Sequence, residues 1–248
     1  MAGRASRLHD GGVTQPDDPA DTRMMGIVHS ALRRDLVRAR LVLAEPAPLA
    51  GERRTALADH VRWLMDFLHH HHTNEDDGLY PLVLEKNPAA GDLLAVMDAD
   101  HHRITPRILE LDVAARSYRD GKDGSDAALL AALEALETDM CPHLEREERE
   151  MMPVVSESIT NREWRDWENA FTKVKSMKQL ADEGHWLVDN LDPERRDFVV
   201  HLVPAVPRFI LLNFLGGPYK RKAALLWGGT PATAVPSLSA DEYPRYAA

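Results

Sequence analysis

The sequence repeats itself at a distance of 72 residues, and the repeat carries chemistry as well as apolar residues. Displaced by that distance, His29 falls on His101, His71 on His143, Glu75 on Glu147 and Pro81 on Pro153. Met25 with Met97, Leu32 with Ile104 and Leu36 with Ile108 frame those matches. Each copy therefore reads His-x41-His-x3-Glu-x5-Pro. Self-similarity of this kind means one helical hairpin used twice.

The local patterning agrees. From Met24 onward apolar residues recur at three- and four-residue steps, which places them on single helix faces. Glu45-Pro46-Ala47-Pro48, Asn87-Pro88, Asp120-Gly121 and Asp123-Gly124 interrupt the pattern. The long helices are expected from about Met24, then Gly51–Glu85, Ala90–Tyr118 and Ser125–Ser158, with no period-two run anywhere. The fold class is accordingly all-α: an up-down-up-down antiparallel four-helix bundle over residues 22–158, with additional C-terminal helices. Residues 1–21 read as a flexible tail, 159–230 as a helical extension and 231–248 as a loose tail. Within the extension, Asn161–Glu183 reads as a fifth helix with an apolar stripe of Trp164, Trp167, Phe171 and Val174. Asp192-Pro193-Glu194 has the form of a helix start, and short helices are expected at Val199–Leu215 and Tyr219–Trp227.

Composition removes several classes. Thirty Lys+Arg against 40 Asp+Glu leave a net charge of -10, unlike a nonspecific nucleic-acid binder. The one cysteine, Cys141, excludes an intrachain disulfide, a Cys-rich zinc module and a CxxC pair. The first thirty residues lack an apolar signal core, so a cytoplasmic location is the expectation. The longest apolar stretch, Val199–Leu215, contains His201, Pro204, Pro207, Arg208 and Asn213, so no transmembrane segment is expected. What remains unusual is 12 histidines.

Residues four apart lie one above the other on a helix face. His71 with Glu75, and His143 with Glu147, therefore each aim an imidazole and a carboxylate the same way, and His29 and His101 add one imidazole each. Carboxylates leave water only when paired or metal-bound. Four imidazoles and two carboxylates meeting inside a bundle suit two divalent ions, with the carboxylates bridging. Mixed nitrogen and oxygen donors favour iron over manganese or zinc. In the run His69-His70-His71-His72, only His71 has both a repeat counterpart and a glutamate one turn on. His72, about 100° round the helix, is the alternative to it, and His69 and His70 read as solvated. His60 reads as a packed or hydrogen-bonded residue, His101 is preferred to His102, Tyr80 reads as rim packing, and Cys141 as a small apolar residue. Pro142 is expected to kink the fourth helix before His143. Lys220-Arg221-Lys222 reads as a weak candidate for an anionic partner.

The segments His71-His72-Thr73-Asn74-Glu75-Asp76-Asp77-Gly78-Leu79-Tyr80-Pro81, Met97–His101 and His143–Pro153 resemble the hemerythrin-like, or HHE cation-binding, family, and among it bacterial relatives with His-x3-Glu twice. The resemblance covers about Met24 to Val155. It implies a non-haem di-iron centre, bridged by an oxo or hydroxo group, that meets O2, H2O2 or NO. It also implies His29, His71, Glu75, His101, His143 and Glu147 as the metal ligands. Two departures stand out. Oxygen carriers of the family have a further histidine where this chain has Thr105. They also have an aspartate five residues after the fourth-helix histidine, where this chain has Glu148, with Glu147 at four. Loss of an imidazole leaves either an added water or an open position on one ion, which favours peroxide- or NO-consuming redox chemistry over a non-catalytic O2- or iron-binding or sensing module. A homodimer through the C-terminal helices is the expected assembly.

Overall fold

A computed structural model describes residues 14–173 and 175–246. Every named element among them is helical, and the one β-bridge joins Pro19 to Thr160. Four antiparallel rods make the bundle. The first is α1 (Arg23–Leu43). The second is α2 (Gly51–Asn74), which continues through a π turn (Glu75–Leu79) into α3 (Tyr80–Lys86). The third is α4 (Gly91–Arg119). The fourth is α5 (Ser125–Arg146), continued by a second π turn (Glu147–Met151) and α6 (Met152–Ser158).

The repeat explains the π turns, which the expected unbroken helices Gly51–Glu85 and Ser125–Ser158 lack. Pro81 and Pro153 have no N–H to donate, and their rings clash with the carbonyl four residues back. The ladder lengthens instead, with Tyr80 N–H bonding to the Glu75 carbonyl and Met152 N–H to that of Glu147. Each proline then sits in the first turn of the following helix, where no N–H is required. Pro142, by contrast, lies inside α5, which stays helical through it; the departure from α geometry comes at Glu147.

Two apolar layers fill the bundle. One contains Leu32, Leu36, Leu64, Ile104, Leu133 and Met140. The other contains Met25, Leu79, Val83, Met97, Met151 and Val155. The histidines and glutamates of the repeat lie between them in sequence along each rod, so the polar site is enclosed by dry packing.

The extension departs from expectation at two points. The fifth helix is two helices, α7 (Asn161–Thr172) and α8 (Met177–Val188), because Ser176 caps the second with a reciprocal Gln179 bond. Val174 lies outside the described residues. Next come α9 (Pro193–His201), capped by Asp192 as its sequence suggests, then α10 (Ala205–Phe214) and α11 (Gly217–Trp227). The second departure is the segment expected as a loose C-terminal tail. Val235 and Leu238 are buried against Val37 of α1, and Leu238 N–H bonds to the Ser30 carbonyl at 3.1 Å. At the other end, Ala20 N–H bonds to the carbonyls of Ser156 and Ile159.

Helix α1 is thus wrapped on both sides, and its outer face is a buried ionic knot. Asp35 accepts four bonds: from Arg34 Nε (2.7 Å), Arg38 Nη1 (3.3 Å), His60 Nε2 (2.7 Å) and Trp186 Nε1 (2.9 Å). Arg34 also donates to the carbonyls of Asp189 and Trp186, and Arg38 to the Asp189 carboxylate and the Val235 carbonyl. Burial lowers the His60 imidazole below its usual range, against the pull of Asp35. The unfolded chain therefore takes this proton more readily than the folded one. The stability contributed by His60 is complete above its unfolded pKa of 6.5 and is lost as pH falls toward the lowered folded value. The denaturation midpoint of the wild type is expected to fall more steeply below that pH than that of His60→Gln. Parallel curves would show that folding leaves this imidazole unchanged.

Candidate metal centre

The six residues singled out by the repeat meet in one place. His29 comes from α1, His71 from α2, His101 from α4 and His143 from α5, and each π turn opens on a glutamate. His29 Nε2 lies 3.1 Å from His71 Nε2, and His101 Nε2 lies 3.2 Å from His143 Nε2. The carboxylates span these pairs. Glu75 reaches His71 Nε2 at 3.1 Å with Oε1 and His101 Nε2 at 3.6 Å with Oε2. Glu147 Oε2 is 3.4 Å from His29 Nε2 and 3.8 Å from His143 Nε2.

The outer nitrogens fix how the rings are presented. His29 Nδ1 is 2.9 Å from Glu148 Oε1, which Arg33 also holds at 2.7 Å. His101 Nδ1 is 2.7 Å from Asp76 Oδ1. His143 Nδ1 faces Asp100 Oδ2 at 3.5 Å, and Asp100 is anchored by Arg103 and Arg146. A carboxylate only accepts, so the Nδ1 atoms of His29 and His101 carry the protons. A proton on Nδ1 is the tautomer that leaves Nε2, which faces the shared space, for a metal.

Burial sharpens the point. Glu75, Glu147, His29 and His143 have no exposed side-chain surface, and His71 retains 12%. Both oxygens of Glu75 and Oε2 of Glu147 lack a hydrogen-bond donor in good geometry. Burial first, and the facing Glu147 carboxylate second, push the Glu75 carboxyl well above the usual carboxylate range. His71 is pushed well below its usual value by burial and by neighbouring imidazoles. Native interiors rarely leave such groups unmatched. A pair of cations in this space matches the donors, so the residues present fit a dinuclear metal group.

The first π turn also re-aims the helix beyond it. An extra residue in one turn rotates the downstream helix by about 100°, and Tyr80 comes to face the site, donating its hydroxyl to Glu147 Oε1 at 3.2 Å. Its ring stacks on His101 at 5.7 Å between centroids. Burial and then Glu147 hold the phenol well above its ordinary pKa, so it remains a donor. The rim-packing expectation for Tyr80 is therefore incomplete. Tyr80→Phe is expected to weaken metal binding about 10-fold with the fold intact, as read by chelator competition. An unchanged affinity would show that this hydroxyl does not steer Glu147.

Of the remaining histidines, His69, His70 and His102 are exposed, and His60 belongs to the Asp35 knot. His72 differs from expectation. It does not replace His71 but stands beside it, buried, and joins His101 and His143 in a second group of potential metal donors; His29, His71 and Glu147 form the first. Cys141 is buried, and burial pushes its thiol up to about 12, so it remains protonated. Helix α7 buttresses the first π turn: Trp167 donates to the Asn74 carbonyl at 3.1 Å, and its ring lies where a Cβ on Gly78 would meet it at 3.1 Å.

Fold and site define a helical-bundle protein that offers buried imidazoles and carboxylates to cations. The chain belongs to the hemerythrin HHE cation-binding domain family, whose model matches residues 21–155. No curated protein and no solved structure matches it. Among the described residues no helix is long and apolar enough to cross a membrane.

Proposed function

We propose that this chain holds a dinuclear non-haem metal centre, with iron as the favoured metal, that acts on O2, H2O2 or NO, and that consumption of peroxide or NO is its use. The observation that carries the reading is the convergence of Nε2 lone pairs and donor-less carboxylate oxygens in one dry space. In this reading His29, His71, His101 and His143 would hold the ions, and Glu75 and Glu147 would be shared between them, since each carboxylate lies against one imidazole of each pair. When bound, an iron pair supplies the electrons for reaction with a small oxidant. The chain's own residues do the rest. Glu148, Asp76 and Asp100 orient the rings. Tyr80 keeps a proton at its hydroxyl oxygen beside Glu147. The apolar layers exclude bulk water, and the partly exposed His71 edge is the way in for a small ligand.

The test is anaerobic purification with metal analysis, followed by optical spectra on adding O2 and then H2O2. Rapid peroxide loss with return of the starting spectrum supports turnover. A long-lived adduct supports a binding or sensing module instead. That second reading has one observation in its favour: α1 carries His29 on its inner face and grips the C-terminal extension with Arg34 and Arg38 on its outer face. Zinc as the copurified metal, with neither response, would end both. A homodimer remains the assembly we propose, since α10 exposes Val206, Phe209 and Phe214; a monomer in sedimentation would remove it.

A further inference from the structure

His72 lies outside the repeat. Its counterpart 72 residues on is Leu144, a fully buried core residue. At the corresponding position of the other hairpin, then, the bundle accommodates an aliphatic side chain. His72 is 3% exposed, and neither of its ring nitrogens has a hydrogen-bond partner. Leaving a buried polar group unmatched is costly, and a leucine at this place does not incur that cost. A neutral imidazole nitrogen with no hydrogen to donate has a lone pair to offer.

The neighbours of that lone pair are specific. The His72 ring stacks on His101 with centroids 4.1 Å apart and planes 12° from parallel. It meets His143 edge-on at 5.2 Å and 86°. Donor nitrogens of the three residues lie within 4.8 Å of one another. His71, its neighbour in sequence, belongs to the other group with His29 and Glu147. Helix α2 thus straddles the site, giving one imidazole to each half from adjacent positions. Thr105, one turn beyond His101, supplies no donor there, because its hydroxyl bonds back to the His101 carbonyl at 2.8 Å.

We infer that His72 is a metal ligand, the third imidazole of the half-site built by His101 and His143. The centre is then asymmetric: His72, His101 and His143 serve one ion, His29 and His71 the other, and Glu75 and Glu147 are shared. This rests on the dinuclear reading above and adds a ligand to it, supplied by α2 rather than by α4.

The experiment loads metal-free protein anaerobically with Fe(II) and measures equivalents bound and their affinities by chelator competition. His72→Phe keeps a flat ring to stack on His101 but removes both nitrogens, and circular dichroism of the metal-free variant checks its fold. If that ring is not tolerated, His72→Gln is read in the same way. The wild type is expected to bind two equivalents. The variant is expected to retain one near wild-type affinity and to bind the other at least about 100-fold more weakly. X-ray absorption of the Zn(II)-loaded protein supplies a readout that packing alone would not move. Five imidazoles over two ions give about 2.5 per ion in the wild type, against about 2 in the variant. Two equivalents at unchanged affinity and an unchanged imidazole count in His72→Phe overturn the inference while leaving the dinuclear reading intact. A wild type that binds fewer than two equivalents overturns both.

Discussion

Glu75→Gln and Glu147→Gln are each expected to reduce metal binding at least about 100-fold, about 2.7 kcal/mol, while leaving the metal-free protein as stable as the wild type or more so. The two halves of this expectation have one cause. Glu75 has no exposed side-chain surface, no donor in good geometry on either oxygen, and a second carboxylate facing it. Without cations such a pair is a burden on the fold, and a neutral amide of the same shape relieves part of it. With cations the same oxygens lie against one imidazole of each half-site, so a single substitution disturbs both ions. Metal content after desalting and the melting temperature of chelator-treated protein are the two measurements. Unchanged loading in both variants removes the bridging assignment. Normal loading of one alone restricts it to the other glutamate.

The second large effect lies away from the site. Asp35→Ala is expected to destabilise the protein by about 3–5 kcal/mol, the usual result of removing one partner from a buried ionic cluster. Asp35 takes four donors, and the guanidiniums of Arg34 and Arg38 are 0% and 1% exposed. The variant leaves those positive charges buried with Asp189 as the remaining carboxylate partner, bonded to Arg38 at 2.6 Å. The loss should appear as a lower urea midpoint with little change in slope. A loss under about 1 kcal/mol would show that water enters the knot and solvates the arginines. Because α1 also carries His29, metal loading measured on the same variant tells whether the extension supports the site through this helix.

The elements legible in the sequence were those with a period or a repeat. Met25, His29, Leu32 and Leu36 mark one face of α1, and the 72-residue register selects His71 from four successive histidines. The π turns were legible in part. Pro81 and Pro153 were visible as a matched pair, but their effect depends on whether a helix breaks, kinks or lengthens its ladder, and packing of the continuing rod decides that. His72 was weighed as a substitute for His71, because helix phase alone cannot say that the faces of both residues are enclosed. The outer face of α1 was hidden for a related reason. Arg34, Asp35 and Arg38 have the composition of a solvated face, and only the extension returning from beyond residue 185 turns them into core.

By itself, the sequence determined that two like hairpins form an all-helical bundle and that the four imidazoles and two acids of the repeat face inward, because helix period and repeat register are local properties of the chain. The tertiary structure alone decided that His72 is buried against His101 and His143, that Tyr80 turns onto Glu147, and that α1 is buried all round. Each of these depends on what surrounds a helix face, and that is set by segments far away in the chain whose arrival no local pattern records.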